Sequence, residues 1–278
     1  CQPELVPLLN QLAGVEVVSR GELPPPHDVQ CPQLSLPKIF GIKPATIPPP
    51  INLQCSAGKP ALPASDTDQL KVGLVWRGSR RNEIPEPREI PAPLLPEITR
   101  LGKAQFYSLQ LEQIDGEAPF TKNLIWMNKA LPDFLATAQI IGQLDLIITI
   151  DTAVAHLAGT LRKPVWLLLP HGSEWRWLEH RDDSPWYPTM RLFRQPAVGD
   201  WASVLSAVRE ALQLFPSPIA DQHLNQAEAA MKRGQGQQAI AHYQVAHQAA
   251  PDNPLILRLL GSTLSALGQA EVALECLQ

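Results

Sequence analysis

Residues 144–169, LDLIITIDTAVAHLAGTLRKPVWLLL, contain two apolar runs separated by a segment rich in small residues. The runs, 144–150 and 164–169, have the length of strands and no regular alternation with polar residues, which is typical of strands buried on both faces. The sequence between them predicts a helix over 152–161, whose small residues would let it lie close to a sheet. A strand, a helix and a strand in this order predict parallel pairing.

The same alternation extends to both sides of this stretch. The remaining predicted strands are 71–76, 105–109, 124–127 and 190–193, and the remaining predicted helices are 92–101, 133–143 and 201–214. Apolar strands that alternate with helices of about ten residues indicate a parallel sheet covered on both sides. We therefore expect an α/β, Rossmann-like domain over residues 68–216.

Composition excludes several classes of protein. The chain has 278 residues, enough for one large domain or two smaller ones. Its 23 basic and 27 acidic side chains give a net charge of −4, whereas proteins that bind nucleic acid carry a basic excess. No apolar run approaches the roughly 18 residues that a membrane span needs. The four cysteines form no CxxC pair, so we expect reduced thiols, no metal site and a cytoplasmic protein.

Proline is concentrated in residues 24–63 and 85–96. Because proline fixes φ and removes a backbone donor, neither segment can form a regular helix or a central strand. The first segment also contains several apolar residues, namely Leu34, Leu36, Ile39, Phe40 and Ile42. We therefore expect it to be ordered and packed, with a disordered linker as the alternative. The chain begins with Cys1 rather than Met, and we interpret it as a fragment.

Residues 219–278 change to a helical composition of Ala, Gln, Leu and His with a period of 34 residues. Gly234 recurs as Gly268, and Ala239 recurs as Ala273. This is the tetratricopeptide period, in which small residues lie where paired helices cross. We expect all-α repeats here, the second one truncated, that bind a protein partner. A generic helical hairpin is the alternative.

Polar residues follow the fourth predicted strand, and ligands of open parallel sheets bind at the carboxyl ends of strands. Asp151, Thr152 and Ala153 come directly after the strand, and His156 lies about one turn into the helix. Asp151 is a candidate helix cap, and the N–H groups of Thr152 and Ala153 are candidates to face an anion or a sugar hydroxyl. A simple N-cap with an ordinary histidine is the alternative.

The first and second strand ends also carry polar residues. Arg77, Gly78 and Ser79 follow the first strand, and further arginines come behind them. This arrangement suits a diphosphate, because guanidinium pairs phosphate oxygens bidentately. The segment lacks the glycine-rich fingerprints of dinucleotide and ATP sites, and a solvated basic loop is the alternative. Ser108 and Gln110 lie at the end of the second strand.

An aromatic loop, residues 170–188, follows the fifth strand. It contains Trp175, Trp177, Trp186 and Tyr187 within thirteen residues. These rings and Arg176 are candidates to stack on a nucleobase or a sugar ring. A packed loop that closes the domain is the alternative.

The sequence IDTAVAHLAGTLRKPVWLLLP, residues 150–170, resembles the donor-site segment of heptosyltransferase-type glycosyltransferases. The motif of that family is Asp-Thr-Gly-x-x-His-x-Ala before an apolar strand, and Ala153 stands here in place of its glycine. The segments EWRWL (174–178) and SPWYP (184–188) are similar to those of bacterial tetratricopeptide proteins that carry this transferase domain. The resemblance covers about residues 1–215.

The resemblance implies that residues 68–216 are the nucleotide-sugar-binding half of a glycosyltransferase B fold. Residues 1–67 would then be a remnant of the N-terminal Rossmann half followed by a proline-rich linker. The implied reaction is metal-independent, inverting transfer from a nucleotide-diphosphate sugar to an acceptor glycan or protein, with no further cofactor. The family's catalytic base lies in the N-terminal half, so no catalytic residue is assigned.

The resemblance also implies a set of donor contacts. The diphosphate would meet the loop after the first strand and the start of the helix at Thr152. Asp151 would hold sugar hydroxyls, His156 would orient the phosphates, and Ser108 and Gln110 would contact the nucleoside. The full set is Arg77, Gly78, Ser79, Ser108, Gln110, Asp151, Thr152, Ala153, His156, Trp175 and Trp177. The alternatives are a non-catalytic tetratricopeptide scaffold with a degenerate transferase domain, and a nucleotide-sugar epimerase on the same fold.

Overall fold

A six-stranded sheet forms the centre of the part of the chain that the structure describes. The computed structural model describes residues 1–43, 46–51, 53, 60–63, 69–78, 88–112, 123–215, 218–249 and 254–268. The strands are β1 (Leu70–Val75), β2 (Ala104–Ser108), β3 (Leu124–Trp126), β4 (Leu146–Ile150), β5 (Val165–Leu169) and β6 (Met190–Arg194). Their order is β3-β2-β1-β4-β5-β6, and every neighbouring pair is parallel. The predicted α/β fold with a parallel sheet is confirmed.

Helices cover both faces of this sheet. The α-helices are α1 (Val6–Leu9), α2 (Leu36–Ile39), α3 (Pro96–Thr99), α4 (Phe134–Gly142), α5 (Ala153–Thr160), α6 (Trp201–Leu214), α7 (Pro218–Lys232), α8 (Gly236–Ala249) and α9 (Pro254–Ala266). One core, which contains Leu74 and Trp76 of the β1 segment, packs against α3 and α6. The other core, which contains Ile147, packs against α4 and α5. Burial on both faces explains the uninterrupted apolar runs of the strands.

The predicted helix over residues 92–101 is shorter than expected. A 3-10 helix, Ala92–Leu94, comes first, and α3 then covers only four residues. Pro93 and Pro96 cause the break, because proline has no N–H to donate and is tolerated only in the first turn of a helix. The longer helix α4 agrees better with the prediction. Its N-cap residue is Asp133, whose carboxylate accepts a hydrogen bond from the Ala136 N–H at 2.7 Å.

The proline-rich segment is more exposed than predicted. The side chains of Leu34 and Phe40 are 91% and 72% exposed, and Leu36 and Ile39 are exposed as well, although Ile42 is half-buried. The expectation that these residues are packed is wrong for the first four. In the described part of this segment a 3-10 helix, Gln33–Ser35, is followed by the four-residue helix α2, and both are too short to bury an apolar face.

Other parts of residues 1–67 do contact the domain. Leu8 of α1 is buried in the core beside α4. Gln143, which follows α4, accepts a hydrogen bond from the Leu62 N–H at 3.1 Å and donates one to the Pro60 carbonyl at 3.0 Å. This part of the chain is therefore joined to the α/β domain through backbone groups and leucine side chains.

Helices α7, α8 and α9 make up most of residues 218–249 and 254–268. Ala239 of α8 is fully buried against Ala227 and Ala230 of α7, as expected for a helix crossing lined by small residues. Gly234 and Gly268, which are 34 residues apart, follow α7 and α9 with φ values of +73° and +77°. The tetratricopeptide assignment itself stays a prediction, and Ala273 lies outside the described residues.

Within the described ranges, no helix is long and apolar enough to span a membrane. Cys1 and Cys31 are free thiols, whereas Cys55 and Cys276 lie outside the part of the chain that the structure describes. The same described residues contain no group of three or more His, Cys, Asp or Glu side chains that is arranged to hold a metal ion.

Candidate functional site

The strand order reverses between β1 and β4, which are neighbours in the sheet although β2 and β3 lie between them in the sequence. In parallel α/β sheets, ligands bind in the crevice outside the carboxyl ends of the strands at this switch point. At these two ends the chain continues as Trp76-Arg77-Gly78 after β1 and as Asp151-Thr152-Ala153 after β4. Two of the three predicted polar segments therefore lie side by side.

Arg88 bridges these two strand ends. The Ile90 N–H donates to the Trp76 carbonyl at 2.9 Å, which brings the segment containing Arg88 beside the end of β1. The Arg88 guanidinium then donates through Nη1 to the Asp151 carbonyl at 3.1 Å. At Gly78, an added Cβ would lie 3.2 Å from Arg88 Nη2, so a residue without a side chain allows this close approach. Arg88 was not among the predicted site residues.

A cavity of about 430 Å³ opens at the ends of β4 and β5. Its lining residues are Arg88, Asp151, Leu169, Pro170, Gly172, Ser173 and Glu174. The cavity combines one guanidinium with two carboxylates and with exposed backbone of a glycine-containing turn. Such a mixture can bind an anion at one side and hydroxyl groups at the other.

Asp151 and His156 face each other across the start of α5. Asp151 is 8% exposed, and its Oδ1 lies 3.9 Å from His156 Nε2, too far for a hydrogen bond but close enough for attraction. His156 Nδ1 and the Tyr187 hydroxyl share a hydrogen bond at 3.0 Å. The imidazole also stacks on the Trp177 ring, with centroids 5.4 Å apart and planes at 21°. His156 is therefore held on three sides.

Burial lowers the pKa of His156 below the usual histidine value. The neighbouring Arg176 also lowers this pKa, while Asp151 and Glu174 raise it, and the effect of burial is the largest. The neutral imidazole is thus favoured at neutral pH. In that form His156 can donate from one ring nitrogen and accept at the other.

At the start of α5, the side chain of the N-cap residue makes no cap hydrogen bond. The N-cap position is Thr152 rather than the expected Asp151, so the predicted capping role of Asp151 is wrong. The Thr152 hydroxyl shares a hydrogen bond with the Thr149 hydroxyl at 3.2 Å instead of accepting from the helix. The first N–H groups of α5, on Ala153 and Val154, are therefore not capped by this side chain, and an anion placed there would complement them and the helix dipole.

Arg77, Ser108 and Gln110 point into the protein and do not line the cavity. Arg77 is 4% exposed, and its Nη2 donates to the Glu112 carbonyl at 2.6 Å. Gln110 Oε1 accepts from the Trp76 and Arg77 N–H groups at 3.0 and 2.9 Å, and Ser108 is fully buried beneath it. These residues position the loop after β1. Ser79 lies outside the described residues.

The aromatic loop is tied to the end of β6 by Arg194. Its Nη1 donates to the Ser173 hydroxyl at 2.7 Å, and its Nη2 donates to the Trp177 and Leu178 carbonyls at 2.7 and 2.6 Å. Trp177 is fully buried under His156, so it is not free to stack on a ligand. Trp175, by contrast, is 71% exposed and directly follows the cavity-lining Glu174. The predicted pair of ligand-stacking tryptophans thus separates into one inner and one outer ring.

Comparison with known proteins adds one distant relative. The chain is similar to Protein FlbA of Caulobacter vibrioides. The two sequences are 28% identical over 152 residues, which cover 52% of this chain and 25% of FlbA, so the match spans about a quarter of that relative. No family model matches the chain, and no solved structure matches it. The name FlbA states no activity, so the functional argument depends on the residues of the site.

Proposed function

We propose that the α/β domain binds a nucleotide-diphosphate sugar and belongs to a glycosyltransferase. The observation that carries the proposal is a cavity lined by Arg88 and Asp151 at the carboxyl end of β4, directly before the start of α5, which the Thr152 side chain does not cap. A guanidinium and a helix N-terminus are suited to a diphosphate, and a carboxylate is suited to sugar hydroxyls. The resemblance to heptosyltransferase-type enzymes points to the same chemistry.

In this proposal Arg88 takes the phosphate-binding role that the sequence had suggested for Arg77. Arg88 and the N–H groups of Ala153 and Val154 hold the diphosphate, and Asp151 accepts hydrogen bonds from the donor sugar. An acceptor hydroxyl attacks the anomeric carbon as the bond to the diphosphate breaks. Negative charge then grows on the leaving diphosphate, and preorganised positive groups lower the barrier because they interact most strongly with that charge.

His156 is suited to help this departure. Its ring is fixed by Tyr187 and Trp177, and its Nε2 faces the same region as Asp151. A neutral imidazole that donates from Nε2 can hydrogen-bond a phosphate oxygen without requiring a buried charge. The proton of the acceptor hydroxyl must pass to a base that we do not assign.

Helices α7–α9 would supply a tetratricopeptide surface for a protein partner. The support is the small-residue crossing at Ala239 and the matching backbone conformation of Gly234 and Gly268 one period apart. The second candidate function, a non-catalytic scaffold, is favoured by one observation. Four predicted donor contacts, Arg77, Ser108, Gln110 and Trp177, are buried inside the protein.

Calorimetry with nucleoside diphosphates and nucleotide sugars tests the proposal. Arg88→Ala should weaken the binding of a nucleoside diphosphate about tenfold or more, because charge-assisted hydrogen bonds contribute roughly 1.5–3 kcal/mol. Binding of the uncharged nucleoside should change little. Arg100→Ala is the matched control. Arg100 is an exposed arginine between α3 and β2, at the end of the sheet where the strands begin, whereas the cavity lies at the end where they finish.

A second variant separates the sugar from the diphosphate. Asp151→Asn should reduce the preference for the sugar-bearing donor over the bare diphosphate, because its carboxylate is assigned to sugar hydroxyls. If the unaltered chain binds none of these ligands, the transferase proposal is wrong and the scaffold is favoured. Binding that survives both substitutions would place the nucleotide elsewhere.

A further inference from the structure

The aromatic loop presents a rigid outer surface beside the cavity. Its 3-10 helix, Trp175–Trp177, is anchored from below by the buried Trp177 ring. Arg194 binds the carbonyls at the end of this helix, and the Trp186 indole N–H donates to the Arg176 carbonyl at 2.7 Å. The backbone that carries Trp175 is therefore held by contacts on both sides.

Trp175 is nevertheless left in solvent. Its side chain is 71% exposed, although tryptophan is highly buried on average. The ring is not loose, because it makes an edge-to-face contact with Trp186, with centroids 6.4 Å apart and planes at 77°. An oriented, exposed indole on an anchored backbone leaves a large apolar face free for a ligand.

Charged groups flank this indole. Glu174 and Arg176, its two neighbours in the sequence, form an ion pair between Oε2 and Nη2, and both side chains remain partly exposed. A sugar ring has one face of C–H groups that packs on an aromatic face and a rim of hydroxyls. A carboxylate accepts hydrogen bonds from those hydroxyls, and a guanidinium donates to them. Aromatic face, carboxylate and guanidinium together match a pyranose.

We infer that Trp175, with Glu174 and Arg176, binds a pyranose ring of the acceptor saccharide. The inference rests on the proposed function, because Glu174 also lines the cavity assigned to the donor. Because Trp175 directly follows Glu174, a saccharide stacked on Trp175 would lie next to the proposed donor. This surface gives the acceptor a chemical class, a glycan or a glycosylated protein.

Saturation-transfer NMR with a panel of methyl pyranosides tests this site. The chain is examined with and without a bound nucleoside diphosphate, and the dissociation constant of each pyranoside is measured. Trp175→Ala should weaken pyranoside binding about tenfold or more. Trp175→Tyr should retain most of the binding because it keeps an aromatic face. The matched control is Phe40→Ala, which removes another ring of 72% exposure from the proline-rich segment.

The outcomes distinguish this inference from the proposed function. The inference is supported if Trp175→Ala weakens pyranoside binding while the calorimetric affinity for the nucleoside diphosphate is unchanged. It is overturned if no pyranoside binds the unaltered chain or if Trp175→Ala binds pyranosides normally. It is also overturned if Trp175→Ala weakens only the nucleotide, since the ring then stacks on a nucleobase. If pyranosides bind at Trp175 but no nucleotide binds, both the donor site and the acceptor role of Trp175 are wrong, and Trp175 is a saccharide-binding site without a transferase function.

Discussion

Gly159 of α5 offers a direct test of how the aromatic loop is joined to the domain. An added Cβ at this position would lie 2.5 Å from Tyr187 Cγ, 2.6 Å from its Cδ1 and 3.0 Å from its Cβ. These atoms are the root of the tyrosine side chain, so rotation about its outer bonds cannot relieve the clash. Gly159→Ala must displace Tyr187 and with it the hydrogen bond to His156.

The size of the effect follows from three contributions. Overpacking in a well-packed site costs about 1–3 kcal/mol. Loss of the hydrogen bond between Tyr187 and His156 adds about 0.5–1.5 kcal/mol. Alanine regains up to about 1 kcal/mol of helix propensity over glycine, and less here because Gly159 is one residue from the end of α5. We expect a net loss of about 2 kcal/mol in the free energy of unfolding.

Urea denaturation followed by circular dichroism measures this loss. Gly142→Ala is the matched control, because Gly142 is exposed at the end of α4 and an added Cβ there meets no atom within 4 Å. That variant should be as stable as the unaltered chain or slightly more stable. In a Tyr187→Ala background, Gly159→Ala should lose most of its cost. An equal cost in both backgrounds, or no cost in either, would refute the reasoning.

Three further predictions concern other parts of the chain. Ala239→Leu should destabilise α7 and α8 by about 1–3 kcal/mol in urea denaturation, whereas Gln238→Leu on the exposed side of α8 should change stability by less than about 0.5 kcal/mol. Arg194→Lys should cost at least about 1.5 kcal/mol, because one ammonium cannot reach all the hydroxyl and carbonyl groups of the aromatic loop that the guanidinium binds, and Arg100→Lys at an exposed position is its control. Because the pKa of His156 is lowered in the folded chain, His156 is protonated at a higher pH in the unfolded chain than in the folded one. The free energy of unfolding should therefore fall as the pH drops through the usual histidine range. His156→Gln should remove that part of the pH dependence, and a histidine titration by NMR that shows an ordinary or raised pKa would contradict it.

The sheet could be predicted from the sequence because its strands are buried on both faces. Each observed strand lies within two residues of its predicted position, and the apolar runs alone locate them. Which strands lie next to each other in the sheet is harder to predict from the apolar runs. The pairing of β1 with β4 depends on how the intervening β2 and β3 return to the sheet, and no local pattern encodes that path.

The site could be predicted only in outline. The sequence located the strand ends at Gly78 and Asp151, but it could not tell which arginine turns towards the crevice. Gln110 accepts from both N–H groups at the end of β1, and the Glu112 carbonyl accepts from Arg77 Nη2, so contacts between distant residues hold Arg77 inside the protein. Arg88 lies within the proline-rich stretch 85–96, and the hydrogen bonds from Ile90 to Trp76 and from Arg88 to Asp151 hold it at the site.

Residues 34–42 show where composition misled the prediction. Several apolar side chains in a short segment suggested burial, because their exposure to water is unfavourable. Burial also needs a backbone that presents these side chains to one surface. The segment forms the end of a 3-10 helix, Gln33–Ser35, and the four-residue helix α2, and most of its apolar side chains remain exposed.

The different positions of Trp175 and Trp177 follow from the helix that carries them. A 3-10 helix has about three residues per turn, so side chains two residues apart differ in direction by about 240° and cannot share a face. The segment EWRWL must therefore send one ring inward and the other outward. Arg194 holds the carbonyls of Trp177 and Leu178, which fixes Trp177 as the inner ring beneath His156. Substitution of Trp177 should thus change the stability of the domain and the pKa of His156. Substitution of Trp175 should change only the binding of ligands at the surface.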